Sequence, residues 1–306
     1  MTSSSPLEPR SSSLYRGRFA PSPTGPLHFG SLIAATGSYL MARSQQGEWQ
    51  VRIDDIDPPR EITGASDDIL RTLEAFGFEW DGAVSYQGQR HECYRAGLEQ
   101  LQKEGHVYPC GCSRKLIAEA QAALNINIYP GTCRHGLSAD QSARMLRINT
   151  TGARLQFEDR FHGSCQYELE KDIGDFVVLR ADGLFAYQLA TGIDDAEQGI
   201  TEVIRGSDLL DSTPCQLYIQ QCLGLHSPIY GHLPVVLNTE GQKLSKQNLA
   251  PALDTAQASF QIWQALNFLG QNVPPELQQE SVDNLWSWAM ANWQSDLIPR
   301  KKTAVI

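Results

Sequence analysis

The chain has 306 residues, 41% of them hydrophobic and 20% charged, the balance of an ordinary globular protein rather than of a disordered or low-complexity one. No apolar run approaches the roughly 18–20 residues that a membrane helix needs, and the opening MTSSSPLEPRSSS has no apolar stretch of the kind a secretory signal carries, so no membrane partner is expected. A formal net charge of −10 speaks neither for nor against RNA, whose binding depends on a local basic surface rather than on the sum.

In chain order, the Ser/Pro-rich residues 1–14 read as a flexible tail. Tyr15–Ala20 reads as a strand, PSPTGP as a turn, and Gly30–Arg43 as a helix with Leu32, Ile33, Thr36, Tyr39 and Leu40 on one broad face. Trp49–Asp54 follows as a second strand, which completes a βαβ unit with its right-handed crossover. The next helix takes Ser66 as its N-cap, buries Ile69, Leu70, Leu73 and Phe76, and stops at Gly77. Residues 90–104 form another, with Tyr94, Leu98 and Leu101 in a stripe. Residues 106–140 break this rhythm with cysteines, prolines and glycines, and read as an insertion. Strands are expected at Arg144–Ile148, Phe176–Arg180, Phe185–Ala190 and Thr201–Ile204, and a helix at Thr213–Leu223. The run Leu233–Leu237 leads into the loop GQKLSKQN, and Gln-rich helices with Trp263, Leu266, Phe268, Leu285, Trp286 and Trp288 follow.

Three stretches carry chemistry. In FAPSPTGPLHFGS, residues 19–31, a strand end feeds a Gly/Pro turn and a helix opens just past His28. Backbone N–H groups and the positive helix end then face a place where a phosphate can sit. VRIDDIDPPR, residues 51–60, lies at the carboxyl end of a strand, where ligands bind in open α/β sheets. In the insertion, Cys110, Cys112 and Cys133 supply three thiols within 24 positions, a zinc site lacking one ligand, for which His106, His135 and Tyr129 are the candidates. The seven cysteines (these three with Cys93, Cys165, Cys215 and Cys222) are odd in number and irregularly spaced, which indicates a reducing, cytoplasmic setting.

The string PSPTGPLHFGS resembles the HIGH-type signature of class I aminoacyl-tRNA synthetases in its glutamyl/glutaminyl form, with Ser31 in the last position and His28 carrying the histidine role. GQKLSKQ, residues 241–247, resembles the KMSKS loop of the same family; two lysines closing over ATP can stabilise charge on the leaving pyrophosphate. The segment 183–210 resembles the stretch in which a tyrosine and an arginine line the amino-acid pocket, at Tyr187 and Arg205. Arg18 matches the arginine of the first strand, and guanidiniums suit a dicarboxylic amino acid because arginine meets carboxylates bidentately. Asp54 falls where the family has a glutamate for the substrate's α-ammonium, one methylene shorter.

The resemblance therefore implies an α/β fold: a Rossmann-type class I synthetase catalytic domain with an inserted zinc-binding subdomain and a short helical C-terminal region. It divides the chain into a first catalytic half at 15–105, the zinc insertion at 106–140, an acceptor-type insertion with the second catalytic half at 141–247, and helices at 248–306. It implies catalytic roles for His28, Lys243 and Lys246; ATP contacts from Pro21, Ser22, Thr24, Gly25, His28, Gly30, Ser31 and Lys246; and glutamate contacts from Arg18, Phe19, Ala20, Pro21, Ser22, Asp54, Tyr187 and Arg205. Mg2+ is expected with ATP, and one structural zinc on Cys110, Cys112, Tyr129 and Cys133, the tyrosine being the ligand that a short relative suggests. Only 59 residues follow Gln247, too few for an anticodon-binding domain. This length is similar to that of a truncated branch of the family, which attaches L-glutamate to the queuosine base in the anticodon loop of tRNA(Asp), and a monomer is the expected state. The rivals are a glutamyl-tRNA synthetase acting on a 3′ end, a non-catalytic tRNA-binding paralogue, and a Rossmann-type nucleotidyltransferase.

Overall fold

The computed structural model describes residues 14–139, 141–238, 240–241 and 251–305. Strand β1 (Arg16–Phe19) pairs in parallel with β2 (Glu48–Ile53), from Arg16 opposite Glu48 to Phe19 opposite Val51, and helix α1 (Phe29–Arg43) makes the crossover. The expected apolar stripe of α1 is wider than a stripe. Ten of its fifteen residues are buried, because the helix lies between the sheet and two C-terminal helices. Small residues permit this: a Cβ at Gly37 would stand 2.6 Å from Leu233 Cδ1.

Helix α2 (Ala65–Ala75) begins from Gly64, whose φ of +81° turns the chain into the helix, so Ser66 lies inside it and is not the cap. Its end is as expected. Gly77 has φ +70° and its N–H reaches Glu74 O, while Phe78 N–H reaches Leu73 O. Strand β3 (Ser85–Tyr86) adds to β2 in parallel, and α3 (His91–Lys103) buries Tyr94, Leu98 and Leu101. Then come β4 (Val107–Cys110), α4 (Arg114–Leu124), β5 (Met145–Ile148), the hairpin of β6 (Arg154–Asp159) with β7 (Gly163–Glu168), short α5 (Leu169–Asp172) and β8 (Val177–Leu179). Strands β4, β5 and β8 form a separate antiparallel sheet.

Helix α6 (Tyr187–Glu197) corrects the strand expected at Phe185–Ala190: only Phe185 bridges to Leu179. Alternating Phe185, Tyr187 and Leu189 suggests a strand, but Leu189, Ala190 and Ile193 share a helical face and are buried in a core with Tyr94 and Ile219. Strand β9 (Glu202–Gly206), helix α7 (Thr213–Cys222) and strand β10 (Ile229–Leu233) follow, with β9 and β10 parallel. Strand β11 (Val235–Leu237), helices α8 (Ala258–Phe268) and α9 (Val282–Asn292), and strand β12 (Thr303–Val305), parallel to β11, complete the described chain.

Strand β1 lies beside β9: Thr201 N–H donates to Arg16 O at 2.9 Å and Arg16 N–H to Thr201 Oγ1 at 2.8 Å. The central strands therefore run β3-β2-β1-β9-β10, with β6 and β7 beyond β10. That is the doubly wound order, and its direction of winding reverses between β1 and β9. A ligand crevice is expected at that reversal, outside the carboxyl ends of the strands.

Candidate active site

A cavity of about 600 Å³ occupies this position. One wall is the end of β1 and the turn into α1: Arg18, Phe19, Ala20, Pro21, Ser22, Thr24, His28, Gly30 and Ser31. The other is Tyr187, Arg205 and the ends of β9 and β10. The turn is held from outside, since Pro21 O accepts from Asp54 N–H at 3.0 Å and Pro23 O from Ile62 N–H at 2.9 Å. Gly25, at φ +135°, takes a conformation closed to other residues. His28 is the N-cap of α1; its N–H donates to Ser31 Oγ at 3.4 Å and its carbonyl accepts from Leu32 N–H. Ser31 thus serves the cap, which explains why a serine suits the last position of the signature.

Lys243 and Lys246 lie outside the described residues. Further on, Leu253 N–H donates to Leu27 O at 2.9 Å, and Ala252 bridges to His28, so these two residues lie beside the turn that leads into α1.

Asp54 does not line the main cavity. It lines a smaller one of about 120 Å³ that shares Ser22, Thr24, Arg60 and Tyr187 with it. Behind this wall is a buried ionic network. Arg52 Nε bonds Asp54 Oδ1 and its Nη1 bonds Asp195 Oδ1, both at 2.7 Å. Arg18 holds Asp195 through two bonds, at 3.1 and 3.2 Å, and Arg90 holds Asp194 at 2.6 Å. Burial pushes the Asp54 carboxyl up to about 6 against the pull of Arg52. Asp195 feels the same burial, but the guanidiniums of Arg18 and Arg52 bring it down to about 2. The difference is one of bonding: Asp195 is bonded by two cations, whereas Asp54 is bonded by Arg52 alone, feels Arg18 only from a distance and is opposed by Asp194.

Arg205 is set differently. Its Nη1 reaches Tyr187 OH at 3.4 Å, its Nη2 donates to Thr213 Oγ1 at 2.8 Å and Gln216 Oε1 at 2.9 Å, and its Nε to His232 Nε2 at 3.1 Å. In the insertion, the sulfurs of Cys110, Cys112 and Cys133 lie within 4.8 Å of one another and all three residues are buried. Tyr129 OH stands 3.4 Å from Cys110 Sγ and 3.6 Å from Cys112 Sγ, and accepts from Cys133 N–H at 3.1 Å. The Arg147 guanidinium sits 3.9 Å over the Tyr129 ring. Neither His106 nor His135 belongs to this group; His106 instead faces Glu104.

A family model described as the catalytic domain of class I tRNA synthetases (E and Q) matches residues 15–268. The glutamyl-Q tRNA(Asp) synthetase of Dechloromonas aromatica is 54% identical over 295 residues, covering 95% of this chain and 98% of that one. The chain belongs to the glutamyl-Q tRNA(Asp) synthetase family, and with it to the ATP-dependent ligases. The Chromobacterium violaceum member is 55% identical over 290 residues, covering 94% and 97% of the two chains. A crystal structure of a glutamate tRNA ligase from Elizabethkingia meningosepticum superposes with a TM-score of 0.78 at 24% identity, over 96% of this chain and 67% of that one, and so shares the fold.

Several residues around the site escape a reading by motif. Asp194 and Asp195 fall inside the segment 183–210, but adjacent aspartates look like a solvated helix face until their exposure, at most 1%, is known. Asp159 and His232 stand in no motif at all. Arg60, which lines both cavities, closes the string VRIDDIDPPR, where the sequence assigned it no task.

Proposed function

We propose that this chain forms glutamyl-adenylate from glutamate and ATP and transfers the glutamyl group to the queuosine base in the anticodon loop of tRNA(Asp). The observation that supports it most is that the turn Pro21–Ser31 and the pair Tyr187/Arg205 face each other across one cavity, at the reversal of the sheet. The first wall suits a triphosphate and the second a carboxylate. An α-carboxylate oxygen of glutamate attacks the α-phosphorus, and pyrophosphate leaves. Such a step needs positioning and neutralisation of charge more than covalent help. In this reading the N-terminus of α1 and His28 meet the phosphates, which arrive with Mg2+, and Lys243 and Lys246 follow the leaving pyrophosphate. Arg18, Tyr187 and Arg205 hold the amino acid, with Asp54 toward its ammonium. A hydroxyl of the queuosine cyclopentene ring then attacks the activated carbonyl and AMP leaves. For that attack the base must be displayed out of its loop, as enzymes acting on bases require.

Cys110, Cys112, Cys133 and Tyr129 would suit one zinc: three buried thiols and a phenol oxygen that accepts a hydrogen bond beside an arginine. A zinc held by these four protein donors would have no open position and would support the fold rather than the chemistry.

Labelled glutamate, ATP and tRNA(Asp) with or without queuosine test the reading. Label is expected on the queuosine-bearing tRNA alone, and stable to removal of its 3′-terminal nucleoside. Label on both tRNAs, or loss of label with the 3′ end, would overturn it.

A further inference from the structure

Three neighbouring strands place three buried side chains in a row. Arg205 on β9 is directly opposite His232 on β10, and Asp159 ends β6, the strand on the other side of β10. Arg205 and Asp159 are each 3% exposed and His232 is fully buried. A guanidinium can only donate, so the bond from Arg205 Nε to His232 Nε2 at 3.1 Å requires a lone pair on that nitrogen. The ring proton is then on Nδ1, where Asp159 Oδ2 accepts it at 2.5 Å. Asp159 cannot turn away, because its Oδ1 accepts from the N–H groups of Phe161 and His162 at 3.0 Å each.

Charge sets Arg205 apart from the other arginines around the cavity. Arg18, Arg52 and Arg90 each meet a carboxylate, whereas Arg205 has none within ion-pair distance among the described residues. A buried cation held by neutral acceptors keeps its charge for an arriving anion, at the cost of needing its direction set by something else. Protonation of His232 would remove the acceptor and put a second cation against the first. Burial keeps the ring below its ordinary range, Asp159 pulling upward and Arg205 downward.

We propose that Asp159 and His232 are positioning residues that fix the tautomer facing Arg205 and thereby aim its guanidinium at the carboxylate of glutamate, making this pair a determinant of amino-acid specificity. The proposal rests on the reading that Arg205 meets the substrate's carboxylate.

Glutamate-dependent ATP–pyrophosphate exchange tests it in the full chain, with Arg205→Ala, His232→Leu and His232→Gln compared. His232→Leu is expected to raise the KM for glutamate about tenfold and leave that for ATP within about twofold, and to narrow the preference for glutamate over glutamine. His232→Gln, whose amide oxygen can accept from Arg205 Nε, should recover part of the loss. The proposal is overturned if His232→Leu leaves the glutamate KM unchanged, if the ATP and glutamate constants rise together, or if His232→Gln is no better than His232→Leu. Should His232→Leu not fold, Asp159→Asn is read by the same split between the two constants. Arg205→Ala separates the two claims. A raised glutamate KM there with no effect of the His232 variants sinks the positioning pair alone, and no effect of Arg205→Ala sinks the pocket reading with it.

Discussion

Asp54 ends against Arg52, a cation that also serves Asp195 and lies 3.8 Å from Asp194. Burial, which Arg52 and the more distant Arg18 only partly offset, leaves Asp54 easier to protonate than its neighbour, at about 6 against about 2 for Asp195. The signs for stability are opposite. Asp54, raised in the fold, contributes most below its unfolded value of 3.8, and that contribution is lost as pH rises through about 6. Asp195, depressed, contributes above 3.8 and loses it only as pH falls toward about 2. Between roughly pH 4 and 6 the site should therefore stay folded while Asp54 loses its charge. If Asp54 faces the ammonium of glutamate, the KM for glutamate rises as pH falls through about 6, with circular dichroism unchanged. Asp54→Asn should show the raised KM, by about tenfold, at every pH and no acid limb. An acid limb that survives the substitution would assign it to another group.

At the scale of elements, the insertion shows what a motif can and cannot convey. The spacing of Cys110, Cys112 and Cys133 made a cluster of three thiols legible, but which further side chain joins them depends on what the return of the chain brings inside. That is Tyr129, whose residue bridges to Gly174 and whose ring lies under Arg147 on β5. Local spacing carries no such information. The same holds for α6, where a short alternating run was decided by packing against Tyr94 and Ile219, and for α2, where a glycine in the left-handed region outranked a serine cap. Cys110→Ser should lower bound zinc from about one ion per chain toward none and reduce the melting temperature. Mass spectrometry under native conditions and a thermal melt would check both, and full retention of metal would remove the proposed ligand set. Because the cysteines lie in a cluster apart from the cavity, glutamate KM measured well below the melt should change little.

Across the whole molecule, the βαβ start, the turn Pro21–Ser31 and the segment 183–210 were readable as motifs because each is a contiguous string. The row Asp159–His232–Arg205 was not, since its three members are brought together only by strand order. The C-terminal helices are a third case: their aromatic residues were visible, but not what they cover. Trp286 of α9 packs 5.1 Å from the Tyr39 ring and 5.0 Å from Phe78, and its Nε1–H donates to Phe76 O at 2.8 Å. Tyr39 belongs to α1, whose other end carries His28, and Ile262, Leu266 and Leu285 lie in the same core as Val51 and Ile53. The C-terminal helices thus share one core with the helix that carries His28, and are not an appended unit. Trp286→Ala should cost about 3–5 kcal/mol, the range for a large aromatic removed from a packed core, and leave Phe76 O without its donor. Urea unfolding followed by near-ultraviolet circular dichroism and by residual pyrophosphate exchange should move to lower denaturant together, as one transition. If exchange persisted beyond the loss of the aromatic signal, the C-terminal helices would unfold on their own, and the shared core would not be what holds the site.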